Sequence, residues 1–222
     1  MVFMNSDELF NLLQAFISAR QNLIKEIRSS NLKTAQLLNG NSLILEALFN
    51  DFTDLSKLIR SKTERITLAE ASALGELETV KKLISQDKKI VNSWTPDGFT
   101  PLSLACAFSG SVDTVKYLLK NGAEVNKVTK NQFIKVAPIH ASMFGGRNDI
   151  LEILLKNGAE PNLPQENEIS YPLHEAVLRK DLLAIKILLR YGADRNIITR
   201  DGKTALTCAN DSGFLEAVKL LR

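Results

Sequence analysis

Leu118-Leu119-Lys120-Asn121-Gly122-Ala123-Glu124-Val125-Asn126 returns as Leu154-Leu155-Lys156-Asn157-Gly158-Ala159-Glu160-Pro161-Asn162. It returns again as Leu188-Leu189-Arg190-Tyr191-Gly192-Ala193-Asp194-Arg195-Asn196. The three glycines stand 36 and 34 residues apart. A fixed period of this size marks a chain built from one repeated supersecondary unit. A second motif lies upstream of each copy, in constant phase. It reads Thr100-Pro101-Leu102-Ser103-Leu104-Ala105, then Ala137-Pro138-Ile139-His140-Ala141-Ser142. It continues as Tyr171-Pro172-Leu173-His174-Glu175-Ala176 and Thr204-Ala205-Leu206-Thr207-Cys208-Ala209.

Each motif element has a mechanical reason. Thr100 and Thr204 are suited to N-cap a helix, offering an oxygen to orphan backbone N–H groups. Pro101, Pro138 and Pro172 then fall at the first helical position, where a missing N–H costs nothing. Small alanines let two antiparallel helices approach closely. Gly122, Gly158 and Gly192 follow the second helix, where a left-handed residue ends it. Asp97-Gly98 and Asp201-Gly202 are turn dipeptides suited to hairpin tips. One such unit cannot bury its apolar face alone, so stacked neighbours must supply the core.

The upstream motif resembles the ankyrin signature Thr-Pro-Leu-His-x-Ala, whose period is about 33 residues. The resemblance covers roughly residues 66–222 and is specific, because two motifs recur in the correct mutual phase. It implies an all-α repeat fold: an ankyrin-type solenoid of about five helix-turn-helix units with short β-hairpin loops. The expected units are approximately 64–94, 95–131, 132–165, 166–198 and 199–222, forming a repeat domain over 64–222. The first is divergent, with Thr67-Leu68-Ala69-Glu70-Ala71 but neither proline nor histidine. The fifth is expected to be the C-terminal cap. The second unit carries one extra residue between Pro101 and Gly110, expected in its inter-helix turn. Residues 127–136 are expected to form an enlarged hairpin tip. Lys180 replaces the usual inter-helix glycine, which costs energy if the position needs a positive φ.

Residues 1–63 read as an N-terminal helical domain or cap. One helix is expected from Ser6 or Asp7 to about Ser29, a short one over 32–38, and a third from Ser42 to about Arg60. The bland role is to hide the open end of the stack. The sharper one is self-association through the stripe Phe10, Leu13, Ile17, Ile24 and Ile27, whose spacing is near-heptad. The stretch from Glu46-Ala47 to Leu58-Ile59 weakly echoes Glu70-Ala71 to Leu83-Ile84, with no room between them for a normal hairpin.

Composition narrows the function. The 222 residues include two histidines, two cysteines and one tryptophan, too few for a disulfide framework or a zinc site. No catalytic residue, metal ligand or cofactor site is expected. His140 and His174 occupy one repeat position, to which the resemblance assigns structural hydrogen bonds. Cys106 and Cys208 fall in first helices and are expected to be buried, as small apolar residues. Gly145-Gly146 is an inter-helix loop rather than a phosphate cradle. The net charge of +3 lacks the clustered excess of a nucleic-acid binder. No signal peptide or membrane span is evident, so the default compartment is cytoplasmic, with signal-less export left open.

What remains is binding of a protein partner of unknown identity. The resemblance places contacts on hairpin tips and on the concave face of the first helices. By motif phase the candidates are Trp94, Phe99 and Phe133 at tips, Phe108 and Phe144 at first-helix ends, and Arg179 beside them. Exposed aromatics of this kind suit interface anchors. The leading reading is a non-catalytic interaction scaffold. One rival is a dedicated inhibitor, immunity or secreted effector protein masking a single target. The other is an enzyme housed in the N-terminal segment, disfavoured because residues 1–63 hold no histidine or cysteine.

Overall fold

A computed structural model describes residues 42–49, 53–109, 111–131, 135–165 and 169–222. The helices expected within residues 1–41, the stripe from Phe10 to Ile27, and Phe133 therefore lie outside the described residues. The chain divides into two compact units, Met1–Ile66 and Thr67–Arg222.

In the first unit, α1 (Leu43–Phe49) and α2 (Thr53–Lys62) pack on each other. The Ser42 hydroxyl accepts from the Ile44 and Leu45 amides, both at 3.2 Å, as an N-cap should. A single helix from Ser42 to Arg60 was expected, and a helix pair is found instead. The sequence between the two helices contains Asn50-Asp51, residue types that compete with a helix for backbone groups. Leu55 and Ile59 are buried, as are Val80 and Ile84 at the echoing positions downstream.

The second unit is five helix pairs. They are α3 (Leu68–Leu74) with α4 (Leu77–Gln86), α5 (Pro101–Leu104) with α6 (Val112–Lys120), and α7 (Pro138–Phe144) with α8 (Asn148–Lys156). Then follow α9 (Pro172–Leu178) with α10 (Leu182–Arg190), and α11 (Ala205–Asp211) with α12 (Leu215–Leu221). First helices stack on first helices and second on second, so the core runs as one continuous layer between the two rows. Leu102, Ile139 and Leu173 hold one repeat position, and each is at most 2% exposed. Burying a side chain of that size stabilises the fold by roughly 1.5–3 kcal/mol.

The caps follow the sequence reading. Thr100 and Thr204 accept from the amides of Ser103 and Thr207 at 3.2 and 3.1 Å. Thr67 does the same for Glu70, whose carboxylate returns to the Thr67 amide at 2.6 Å. Among the described residues no helix is long and apolar enough to cross a membrane.

Two departures have local causes. The extra residue of the second unit is not in the inter-helix turn. It is taken up where α5 continues as a π-helical turn over Ala105–Ser109, the geometry that inserts one residue without ending a helix. Lys180 adopts φ 55°, the only positive value among the described non-glycine residues. The turn needs a left-handed residue there, and this unit supplies it without glycine.

Candidate functional site

The loops between helix pairs project as fingers from the stack. Each is closed by backbone hydrogen bonds across its base. Thr95 N–H donates to Phe99 O at 2.9 Å, Thr129 to Val136 at 3.0 Å, Gln165 to Ser170 at 2.8 Å and Thr199 to Lys203 at 2.9 Å. These bonds fix the register between fingers. Trp94, Val128, Pro164 and Ile198 fall at one position, and Pro96, Lys130 and Arg200 at another. Successive fingers are also joined. Lys130 N–H donates to Gly98 O at 2.8 Å, and the Asn131 side chain donates to Asp97 O at 2.9 Å.

Asparagine and histidine tie the stack together. Nδ2 of Asn92, Asn126 and Asn162 donates to the carbonyls of Gly122, Gly158 and Gly192 in the following unit. The same side chains accept from the amides of Glu124, Glu160 and Asp194. His140 Nε2 lies 3.0 Å from Leu163 O, and its Nδ1 accepts from the Ala137 amide at 3.2 Å. His174 Nε2 lies 3.1 Å from Lys203 O, while its Nδ1 has no hydrogen-bond partner. Burial holds the His140 imidazole far below its ordinary pKa, at about 4, and lowers that of His174 too. Both rings are neutral structural pins at neutral pH.

Cys106 is fully buried, and burial pushes its thiol well above the ordinary range. Cys208 departs from the expected burial. It is half-buried and lines a cleft of about 300 Å³ with Ile169, His174, Leu178, Thr199 and Lys203. It lies in α11, the first helix of the fifth pair.

The five candidate contact residues that are described separate into groups, Phe133 lying outside the described residues. Phe99 is 6% exposed and belongs to the core, because its backbone closes the finger base and carries the side chain inward. This corrects the expectation that it stands free at a tip. Trp94 is half-buried, with Lys127 Nζ 5.0 Å and Lys130 Nζ 4.7 Å from its ring centre. It borders a cleft of about 420 Å³ that also contains Asp97, Lys130 and Asn131. Phe144 is 43% exposed at the end of α7, and the Arg179 guanidinium lies 5.1 Å over its ring. Glu175 holds that guanidinium by an i,i+4 pair at 2.5 Å. Phe108 is half-buried in the π-helical turn. The inserted residue brings Phe108, rather than Ala107, to the repeat position of Phe144. Gly145 permits the close fit beside it, since a Cβ there would stand 2.9 Å from the Ala107 carbonyl oxygen.

Sequence reasoning missed Leu178 and Ile169. Leu178 ends α9 at the repeat position of Phe144 and is 60% exposed, and Ile169 is 63% exposed in the adjoining finger. The signal lay in the column Leu74, Phe108, Phe144 and Leu178, which becomes visible when units are superposed rather than searched for aromatics. Asp211 takes that place in the fifth unit, paired with Lys203 at 2.8 Å.

Comparison with known proteins agrees with this architecture. A family model described as Ankyrin repeats (3 copies) matches residues 32–129 and 138–222. The first span begins inside the segment read as a separate N-terminal helical domain and includes the pair α1–α2. The chain is 31% identical over 155 residues to human BCL-6 corepressor-like protein 1, covering 69% of this chain and 7% of that protein. It is 38% identical over 88 residues to alpha-latrocrustotoxin-Lt1a of Latrodectus tredecimguttatus, covering 39% of this chain and 6% of the toxin. It is 33% identical over 69 residues to human DNA-binding protein RFXANK, covering 31% and 26% of the two chains. The chain thus spans only a small fraction of each relative's length.

Proposed function

Since this chain belongs to the ankyrin-repeat family, whose members generally mediate protein–protein interaction and are generally non-catalytic, we propose that it is an interaction scaffold. Its contact surface is the face formed by the fingers and the ends of the first helices. One observation carries the reading. Phe144 and Leu178, at equivalent positions of successive units, are 43% and 60% exposed. Exposed large apolar side chains in a row mark an interaction site more often than a solvated surface. Repetition along the array gives that row the length a partner segment can follow.

The chain's two histidines are buried pins between units rather than groups presented on that face. The test compares proteins captured by the tagged chain with those captured by a Phe144→Ser/Leu178→Ser variant of unchanged helicity. Proteins retained by the first and lost by the second are the expected result. An identical captured set would reject this face.

A further inference from the structure

The apolar row at the first-helix ends stops at a charge. Leu74, Phe108, Phe144 and Leu178 hold one repeat position through four units, and Asp211 holds it in the fifth. Exposure grows along the row, from half-buried Leu74 and Phe108 to 43% at Phe144 and 60% at Leu178. Asp211 shares the cleft of about 300 Å³ with Leu178 and Ile169. Charge within that cleft does not balance. Its lining includes two carboxylates, Asp201 and Asp211, and one cation, Lys203. Lys203 Nζ is taken by Asp211 at 2.8 Å. Asp201 is exposed, accepts from the Thr199 hydroxyl and makes no ion pair among the described residues. The finger that carries Ile169 holds Glu166 and Glu168 in its sequence and no base. Arg179 is neutralised by Glu175, and Lys180 and Arg200 stand outside the lining.

Geometry sets the spacing of an occupant. Packed helices stand about 8–10 Å apart, and an extended chain advances about 3.3 Å per residue. A segment lying along the row therefore passes one unit about every three residues. Apolar side chains at that spacing meet Phe144 and Leu178 in turn, and the next step reaches the carboxylates of the cleft. A Lys or Arg suits that place, because its aliphatic stem can lie on Leu178 and Ile169 while its charged head stays at the wet, acidic wall. A Glu there would face two carboxylates against one cation, and such like-charge juxtaposition is penalised.

We propose that Phe144 and Leu178, with the cleft at Asp201 and Asp211, bind an extended partner segment whose apolar residues stand about three apart and whose next step is a Lys or Arg seated against Ile169, Leu178 and the two carboxylates. This rests on the reading of the same face as a protein-binding surface and adds a basic anchor at one end of it.

The probes are two dye-labelled peptides of about 12 residues with Leu at every third position. Each carries one Arg three positions beyond the Leu run, on its N-terminal side in one probe and its C-terminal side in the other. Control peptides replace that Arg by Glu. The protein variant is Asp201→Asn/Asp211→Asn. Asn at 201 keeps an acceptor for the Thr199 hydroxyl, and losing a carboxylate at the end of α11 favours the helix dipole, so the fold is retained. Fluorescence anisotropy should show one Arg probe bound about tenfold tighter than its Glu counterpart, with the preference lost in the variant. The bound probe should also slow modification of Cys208, on the wall of the same cleft. Equal binding of the Arg and Glu probes, no binding of either Arg probe, a preference unchanged in the variant, or an unaltered Cys208 rate would overturn the proposal. The capture experiment keeps the two readings apart. If partners are lost with Phe144→Ser/Leu178→Ser but kept with Asp201→Asn/Asp211→Asn, the surface stands and the basic anchor fails.

Discussion

Asn126 holds Gly158, in the following unit, by its side-chain amide. Nδ2 donates to the Gly158 carbonyl at 3.0 Å, and Oδ1 accepts from the Glu160 amide at 3.0 Å. One side chain thus satisfies a donor and an acceptor at the end of α8, where helical partners have run out. Asn92 and Asn162 repeat the arrangement on either side.

Asn126→Ala is therefore expected to cost about 1–2 kcal/mol. Two hydrogen bonds are lost, each worth about 0.5–1.5 kcal/mol net, and the groups released are partly solvated. Urea unfolding of the variant measures this. An unchanged midpoint would show that the ladder adds nothing to stability.

Finger contact can be separated from backbone strain by two glycines. Gly98 has φ 85° and Gly122 has φ 91°, so alanine is strained at either. A Cβ on Gly98 would also stand 2.6 Å from the Lys130 carbonyl carbon, whereas one on Gly122 meets nothing within 4 Å. Gly122→Ala should cost about 1 kcal/mol. Gly98→Ala should cost clearly more and shift Trp94 emission. Equal losses would mean that the finger moves aside freely.

Acid should weaken the fold through the buried histidines. His140 has a folded pKa of about 4, against 6.5 for the ordinary side chain. Between those values the unfolded chain binds more protons than the folded one, so stability rises with pH. The contribution is complete above the unfolded pKa and is lost progressively as pH falls toward 4, by about 3 kcal/mol in the limit. The lowered pKa of His174 acts with the same sign. Denaturation midpoints should drop between pH 7 and 5, and a His140→Gln variant, less stable at neutral pH, should show a flatter profile. A wild-type midpoint independent of pH across this range would contradict the assignment.

The array was legible because its determinants are local and periodic. Thr100, Pro101 and Gly122 each set a backbone geometry within a few residues, and repetition turned weak signals into a strong one. The face was only partly legible. Phe99 and Phe144 are the same residue type, yet one closes a finger base and the other ends a helix in solvent. Only the fold separates them. The rings of Trp94 and Phe144 take their cations from later units, at Lys130 and Arg179, and no local pattern announces such a pairing. The place of the second unit's extra residue also escaped: it was expected in the inter-helix turn, and a π-helical turn that absorbs a residue within a helix leaves no composition signal.

Lys180 offers a gain rather than a loss. Its φ of 55° is costly for a side chain with a Cβ, by roughly 1 kcal/mol. Glycine relieves that strain but adds freedom to the unfolded chain, which offsets part of the benefit. Lys180→Gly should raise stability by a few tenths of a kcal/mol, up to about 1. A fall in melting temperature would mean that the lysine side chain itself contributes contacts.

The two cysteines give an independent check on the packing. Cys106 is 0% exposed between neighbouring helix pairs, and its thiol is pushed up by burial. Cys208 is half-buried on the wall of the cleft with Leu178 and Ile169. Burial raises its thiol too, so its reaction should be slow at neutral pH and quicken as the thiolate forms. An aromatic disulfide reagent should therefore modify one thiol per native chain and the second only on unfolding. Cys208→Ala should abolish the native-state reaction, while Cys106→Ala should leave it unchanged. If both thiols react at one rate in native buffer, Cys106 is exposed by local opening, and the tight stacking of α5 on its neighbours is refuted.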